Sequence, residues 1–349
     1  MSNSNIARRT EMRVRIKGVD VSENVNEYLQ SATFTDNSED DSDDLQLQLD
    51  DRDGVWLEWL GKQGTEDVKG SKISAVMIQH NHNDDGKDRA LDCGEFSIDD
   101  MSAAGPPSRI TIKATSLPYT STIRKAKTTR EWEHISLRKI AEEIAKRHKM
   151  TCMFLSYGDV YYKRRSQVQV SDIKFLKRLC KAAGISLKVT NNLIVLFDEA
   201  EFEKKKAVTT IKRGSSDVLS YRFRTSLNDT KYSACRVSYT DPDSGNTIEY
   251  TFTAPKSNSD DPVLEVNEKV ESTEDARRLA RKRLREKNRF EYQADFTLVG
   301  DVGLVAGSTV NVSGWGFYDG KYIIDSARHG VGSSGHTVAI TLHRVLEGY

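Results

Sequence analysis

The 349 residues are enough for two or three domains with cores of their own. Hydrophobic residues make up 37% and charged residues 30%, which excludes a disordered polymer and gives a globular protein. Lys plus Arg and Asp plus Glu are both 52, and this zero net charge argues against a generic nucleic-acid binder, whose affinity comes largely from neutralising phosphates.

The chain opens MSNSNIARRTEMRVRIKG, with basic residues but no apolar segment behind them, so no signal peptide is expected. No apolar run approaches the roughly 18 residues of a membrane span. Met12, Val14 and Ile16 alternate with Arg13, Arg15 and Lys17, the pattern of a half-buried strand. An acidic loop, DNSEDDSDD, leads to a second such strand on Leu45, Leu47 and Leu49. Ile73, Ala75 and Met77 begin a third, Asp85-Gly86 signals a hairpin, and SRITIKATS is a further strand. The first 118 residues therefore read as antiparallel β, closing into a barrel or sandwich.

The pattern changes near Pro118. SLRKIAEEIAKRH puts Leu137, Ile140, Ala141, Ile144 and Ala145 on one helical face, with Ser136 as N-cap. SDIKFLKRLCKAAG makes a second helix with Ile173, Phe175, Leu176, Leu179 and Cys180 inward, stopped by Gly184. ISLKVTNNLIVLF follows as a hairpin turning on Asn191-Asn192. From about 205 strands return in VLSYRFRTS, SACRVSYTD and TIEYTFTA. One helix, STEDARRLARKRLREKN, interrupts them, capped by Ser272 or Thr273 with Glu274 and Asp275 in its first turn. The last hairpins turn on Asp319-Gly320 and on the glycines before HTVAITLHRV.

Residues that could carry chemistry are few. Asp50, Asp51 and Asp53 follow a strand, but a Ca²⁺ loop would place its first ligand at Leu49, so the cluster reads as a solvated turn with Trp56 and Trp59 packing the next segment. GVGSSG, Gly330 to Gly335, matches a phosphate-binding glycine pattern in letters only, because a strand follows it instead of a helix. His80 and His82 stand near Asp84 and Asp85, where a metal is conceivable and plain loop residues are the favoured reading. His329, His336 and His343 flank the last hairpin without a nucleophile motif. Cys93, Cys152, Cys180 and Cys235 are scattered and form no C-x-x-C, which fits free thiols in a reducing cytoplasm. Basic runs stand at Ile123–Arg130, Tyr161–Gln167 and Arg277–Arg289. The last reads as a solvated helix whose acidic partners lie on a neighbouring subunit.

Three stretches together resemble one family. They are the segment from YLQSATFTDNSEDDSDD through LQLQLDDRDGVWLEWLGKQG, then LDCGEFSIDDMSAAGPPSRITIKATS, and the closing hairpins GSTVNVSGWGFYDGKYIIDSARHGVGSSGHTVAITLHRV. Their order and spacing resemble the phage late control protein D group, the baseplate hubs of contractile tails, related to the N-terminal part of VgrG. The resemblance runs over nearly the whole chain, helix pair included. It implies a mainly β, α+β fold: a tube-like antiparallel β-barrel over 1–118, an α+β insert of LysM-like appearance over 119–204, and a second tube-like β-barrel with one long helix over 205–349. It implies a structural virion protein, a homotrimer adapting a hexameric tail tube to a trimeric spike. Its partners would be a tail tube protein, spike protein, tape measure protein and baseplate wedge proteins. The setting would be a phage tail or tailocin-like particle assembled in a bacterial cytoplasm. No spike β-helix precedes the end at Tyr349, so a separate spike is expected. No catalytic residue, metal, cofactor, membrane contact or specific nucleic-acid contact is implied, and DNA would only pass through the lumen.

Opposite charges on the loop Glu39–Asp44 and the helix Arg277–Arg289 are expected to pair between copies. The main alternative is a peptidoglycan-binding or peptidoglycan-hydrolysing tail protein, with the middle helices as binder and Asp50, Asp51 or Asp53 as acid. A nucleic-acid-binding regulator, suggested by the Arg-rich helix, is the third.

Overall fold

The computed structural model describes residues 8–349 apart from 39–41, 64–67, 69, 83–85, 119–120, 157, 191, 227–228, 243–244, 256–259 and 334. Glu39, Asp40, Asp41, Asp84, Asp85, Asn191 and Ser334, named above, lie outside the described residues.

The first part runs β1 (Arg9–Ile16), β2 (Val19–Asp20), α1 (Ser22–Tyr28), β3 (Leu29–Asn37), β4 (Asp44–Asp50), α2 (Val55–Gln63), β5 (Lys72–His80), β6 (Asp88–Ala104) and β7 (Arg109–Thr115). The alternation read from the sequence sorts its faces. Met12, Val14, Ile16, Leu45, Leu47, Leu49, Ile73, Ala75 and Met77 are all at most 2% exposed and form one core with Phe34, Trp56 and Phe96. Each of the Met, Val, Ile, Leu and Phe side chains among them contributes roughly 1.5–3 kcal/mol by leaving water.

The insert runs α3 (Thr122–Lys125), β8 (Lys127–Ser136), α4 (Leu137–Arg147), β9 (Thr151–Leu155), β10 (Tyr161–Ser171), α5 (Asp172–Ala183), β11 (Ser186–Val189), β12 (Leu193–Phe197) and α6 (Glu199–Lys204). Both expected caps are present. Ser136 Oγ accepts from Lys139 N, and Gly184 sits at φ 93° with its N–H on the Cys180 carbonyl. At Gly184 a Cβ would also lie 2.6 Å from Lys282 Cδ, so the position needs glycine for space as well as for φ. The inward faces of α4 and α5 share a core with Trp132, which stacks on Phe175. Cys180, 1% exposed, is part of that packing.

The last part runs β13 (Thr209–Lys212), β14 (Val218–Thr225), β15 (Ala234–Thr240), β16 (Thr247–Thr253), β17 (Val263–Val266), α7 (Thr273–Asn288), β18 (Tyr292–Val299), β19 (Thr309–Ser313), a 3₁₀ turn at Gly316–Tyr318, β20 (Gly320–Gly332) and β21 (Gly335–Arg344). The glycine pattern is the hairpin between β20 and β21, where Gly332 faces Gly335. One element departs from the sequence reading. Strands β15, β16 and β17 leave the large sheet, form their own in the order β16-β15-β17, and pack α7 over a separate core of Cys235, Val237, Ala276, Leu279, Ala280 and Leu284. Strand periodicity reports that a face is buried, not against what.

The large sheet has the order β14-β18-β21-β20-β3-β4-β7-β6-β5-β1-β2, with β19 on β20 and β13 on β19. Its two halves come from the opposite ends of the chain and meet at β20 and β3, in a register that sets His329 beside Phe34 and Ala327 beside Asp36. Among the described residues no ladder joins β14 to β1 or β2.

Candidate functional site

The carboxylates at the end of β4 build a turn. Asp51, 2% exposed, accepts the Trp56 N–H at 2.7 Å and so anchors α2. Asp50 turns to Arg52 at 2.5 Å, and Asp53 is exposed. The three do not converge on one point. Trp56 and Trp59 pack edge to face, 5.9 Å apart, against the first core.

The histidines near the first hairpin also part. His80 lies between Asp88, 2.7 Å, and Glu11, 3.3 Å. His82 instead reaches Thr10 and Gln79. Gln79, 1% exposed, is the centre of this region although no motif marks it. Its amide donates to the Gly300 carbonyl at 2.8 Å, lies 2.8 Å from His336 Nδ1, and accepts from Val302 N at 3.2 Å. His336 in turn meets His329 at 3.2 Å. Burial, then the neighbouring His329 and His82, pushes His336 down to about 4, and burial lowers His329 too. Gly300 is required beside this ring, since a Cβ there would fall 2.1 Å from His336 Cγ. With Arg89 on Asp301 at 2.7 Å, these contacts tie the first part to the last.

A second knot ties the insert to both. Lys188 Nζ, on β11, lies 2.7 Å from Asp36 and 3.0 Å from Asp43, while the other Asp36 oxygen accepts Ala306 N. Burial raises Asp43. Burial would lower Lys188, but the two carboxylates outweigh it and hold the ammonium charged.

The basic helix gives the main correction. Its acids are in its own chain. Arg285 Nη2 is 2.5 Å from Glu203 and 3.5 Å from Glu199, Arg289 is 3.5 Å from Glu199, Arg283 is 2.7 Å from both Glu268 and Glu286, and Lys287 is 2.5 Å from Asp229. The Arg281 guanidinium donates to the Tyr349 carbonyl. Arg285, expected to face the loop Glu39–Asp44 of another copy, is engaged within its own chain. Asp43 of that loop is buried under Lys188, and Arg285 belongs to an internal network. His343 closes this network. It is fully buried, 2.8 Å from Asp325 and 3.7 Å from Glu203. Burial opposes its charge, but Asp325 and Glu203 outweigh burial and raise it to about 10. Three carboxylates, Asp325, Glu203 and Glu199, thus face three cations, Arg285, Arg289 and the His343 imidazolium. Glu199, Asp325 and His343 also bring three donor atoms within 4.8 Å of one another, a spacing a metal could bridge. Arg285, 3.5 Å from Glu199 and 2.5 Å from the adjoining Glu203, already supplies a cation at this cluster. Asp325 and Lys188 had one signal in the sequence, a charge set inside an apolar stretch, whereas Glu203 lies in the charged run DEAEFEKKK and had none.

The two ends of the large sheet differ. On β1 the outward amides are taken by α1: Asn26 bonds both Met12 N and Met12 O, and Ser22 Oγ accepts Val14 N. On β14 the far side is paired with nothing among the described residues, and Leu219 and Tyr221 are 54% and 49% exposed. Beneath it Phe223 stacks on Tyr318, centroids 4.5 Å apart, and Trp315 packs against Tyr221, Phe223 and Phe296. Phe317, beside this cluster, is 65% exposed. Among the described residues no helix is long and apolar enough to cross a membrane.

A family model described as YQBQ-like matches residues 111–343. The chain is 28% identical over 180 residues to a probable baseplate hub protein of Escherichia phage 186, covering 49% of this chain and 40% of that one. It is 28% identical over 204 residues to the probable baseplate hub protein of Escherichia phage P2, covering 57% and 49%. The chain thus spans about half the length of the curated relatives it matches or less. Among solved structures it is similar to the 43 kDa tail protein of prophage MuSo2 from Shewanella oneidensis, with TM-score 0.67, 16% identity and coverage of 96% of this chain and 98% of that one. It is similar to the tail protein from Neisseria meningitidis MC58, with TM-score 0.69, 11% identity and coverage of 96% of both. A type VI secretion component of E. coli, described as similar to the T4 tail proteins gp27 and gp5, gives TM-score 0.59 at 13% identity, covering 97% and 78%. At these identities the structures show a shared fold.

Proposed function

This chain belongs to the YQBQ-like family and to the baseplate hub group of phage tail proteins, and on that premise we propose that it is the trimeric hub of a contractile phage tail or tail-like particle. In this role it adapts a hexameric tail tube to a trimeric spike, holds the spike, and lets the tube pass when the sheath contracts. The role is mechanical and uses no reaction chemistry. Each copy supplies two half-sheets joined at β3 and β20, so three copies supply six wall segments around one axis.

The observation that supports this reading best is the contrast between the sheet ends. An exposed strand edge is a template for pairing, and chains that stay alone blunt it. Here α1 blunts the β1 end with Asn26 and Ser22, while among the described residues β14 keeps an open edge and large, half-exposed apolar side chains. An edge left in this state fits a wall completed by a neighbouring copy.

Light scattering on a Leu219→Lys, Tyr221→Lys variant tests it. The circular dichroism spectrum should stay unchanged while the mass falls from three chains to one. A variant that keeps the full assembly would remove β14 from the interface. A cleared zone on a cell-wall zymogram would contradict the non-enzymatic part of the reading.

A further inference from the structure

A cleft of about 530 Å³ opens between the insert and α7, within the size range of ligand sites. One wall is α5, with Lys177, Arg178 and Lys181 at the spacing of a single helical face. The other is α7, with Arg278, Arg281 and Lys282 spaced likewise. Lys181 is met across the gap by Glu286 at 3.1 Å, Arg278 pairs with Asp275 at 2.6 Å and Arg281 donates to the Tyr349 carbonyl, but the lining as a whole carries eight Lys and Arg against three Asp and Glu, an excess of positive charge that favours an anion. The floor is apolar, made of Cys180, Ala183, Ile185 and Leu187.

The acids that line the cleft are engaged. Asp198 accepts the Ala200 N–H at 3.1 Å as the cap of α6. Glu199 lies 3.5 Å from both Arg285 and Arg289, and Glu286 lies 2.7 Å from Arg283 and 3.1 Å from Lys181. The imbalance continues over the insert, where residues 119–204 carry 18 Lys and Arg against 10 Asp and Glu.

We propose that this cleft binds an acidic peptide segment of a partner protein, with carboxylates on the two basic stripes and an apolar side chain on the floor between them. Carboxylate fits better than phosphate. Phosphate sites draw on free backbone N–H groups at a helix start or a glycine-rich nest. The helix start that touches this cleft, α6, is already capped by Asp198 and carries Glu199 and Glu201 in its first turn. Arginine, by contrast, matches a carboxylate with two parallel hydrogen bonds. The cleft is complete within one chain, so peptide binding and ring formation succeed or fail separately.

The probe is a fluorescein-labelled eight-residue peptide alternating Glu and Leu, followed by anisotropy on the full chain. The expected result is saturable binding that weakens as salt rises from about 0.05 M to about 0.5 M. A peptide alternating Gln and Leu should not bind. Arg278→Ala with Arg281→Ala should weaken binding about tenfold or more, the scale of two lost charge contacts. If that pair unfolds early, Lys177→Ala alone carries the same direction of change. Lys72→Ala, on β5 and exposed, should leave binding unaltered. The proposal is overturned if the acidic peptide fails to saturate, if the Gln–Leu peptide binds equally, if the cleft variants bind as the parent does, or if inorganic phosphate displaces the peptide at equal concentration.

Discussion

Raising the pH should weaken this protein through His343. The imidazole is fully buried on β21, and its charge is held by Asp325 at 2.8 Å and Glu203 at 3.7 Å. Its folded value is raised to about 10, while an unfolded histidine titrates near 6.5. A raised value contributes its full stability below about 6.5 and loses it as pH climbs through about 10. The 3.5-unit gap corresponds to on the order of 5 kcal/mol. Leaving the carboxylates unpaired costs a similar amount, roughly 3–5 kcal/mol by analogy with broken buried ion pairs. The assay is urea unfolding of the parent and His343→Gln at one-unit steps from pH 6 to pH 10. The parent should lose several kcal/mol across that range. The variant should begin less stable by roughly 3–5 kcal/mol and show a flatter curve. Parallel curves for the two proteins would refute the charged keystone.

The acid side should behave in the opposite sense. His336 is held down to about 4, so its contribution is whole above about 6.5 and falls away toward pH 4, by about 3 kcal/mol; His336→Asn should remove that acid limb in the same urea series. Gly300→Ala places a Cβ 2.1 Å from His336 Cγ. It should cost roughly 1–3 kcal/mol as overpacking, read as a lowered urea midpoint with an unchanged slope. Lys188→Met leaves Asp36 and Asp43 facing each other without their cation. Limited proteolysis should then cut near the insert boundaries sooner than in the parent, while the spectrum of the intact chain stays native.

Much of the local structure was legible from period and caps. The triplets at Met12, Leu45 and Ile73 gave strand and face together, because alternation over four or more residues leaves no other geometry that buries them all. Ser136, Gly184 and Ser272 marked helix ends because orphan amides and carbonyls need those residue types. What did not show was which surfaces meet. The β3–β20 pairing joins residues nearly the whole chain apart, and neither strand carries a mark of the other. The same blindness hid the departure of β15–β17 from the large sheet. It also misdirected Arg285, whose partners Glu199 and Glu203 are some eighty positions away in a short helix that the sequence reading passed over. Strand β14 reads as an ordinary wall strand, yet its Leu219 and Tyr221 are about half exposed, an exposure that periodicity does not reveal.

The mass of the purified chain in solution, joined to negative-stain images of the same fraction, addresses the assembly most directly. Three copies of the 39.3 kDa chain, seen end-on as a ring with a central opening, is the predicted result. A stable single chain at tens of micromolar, with no ring in any field, would contradict it.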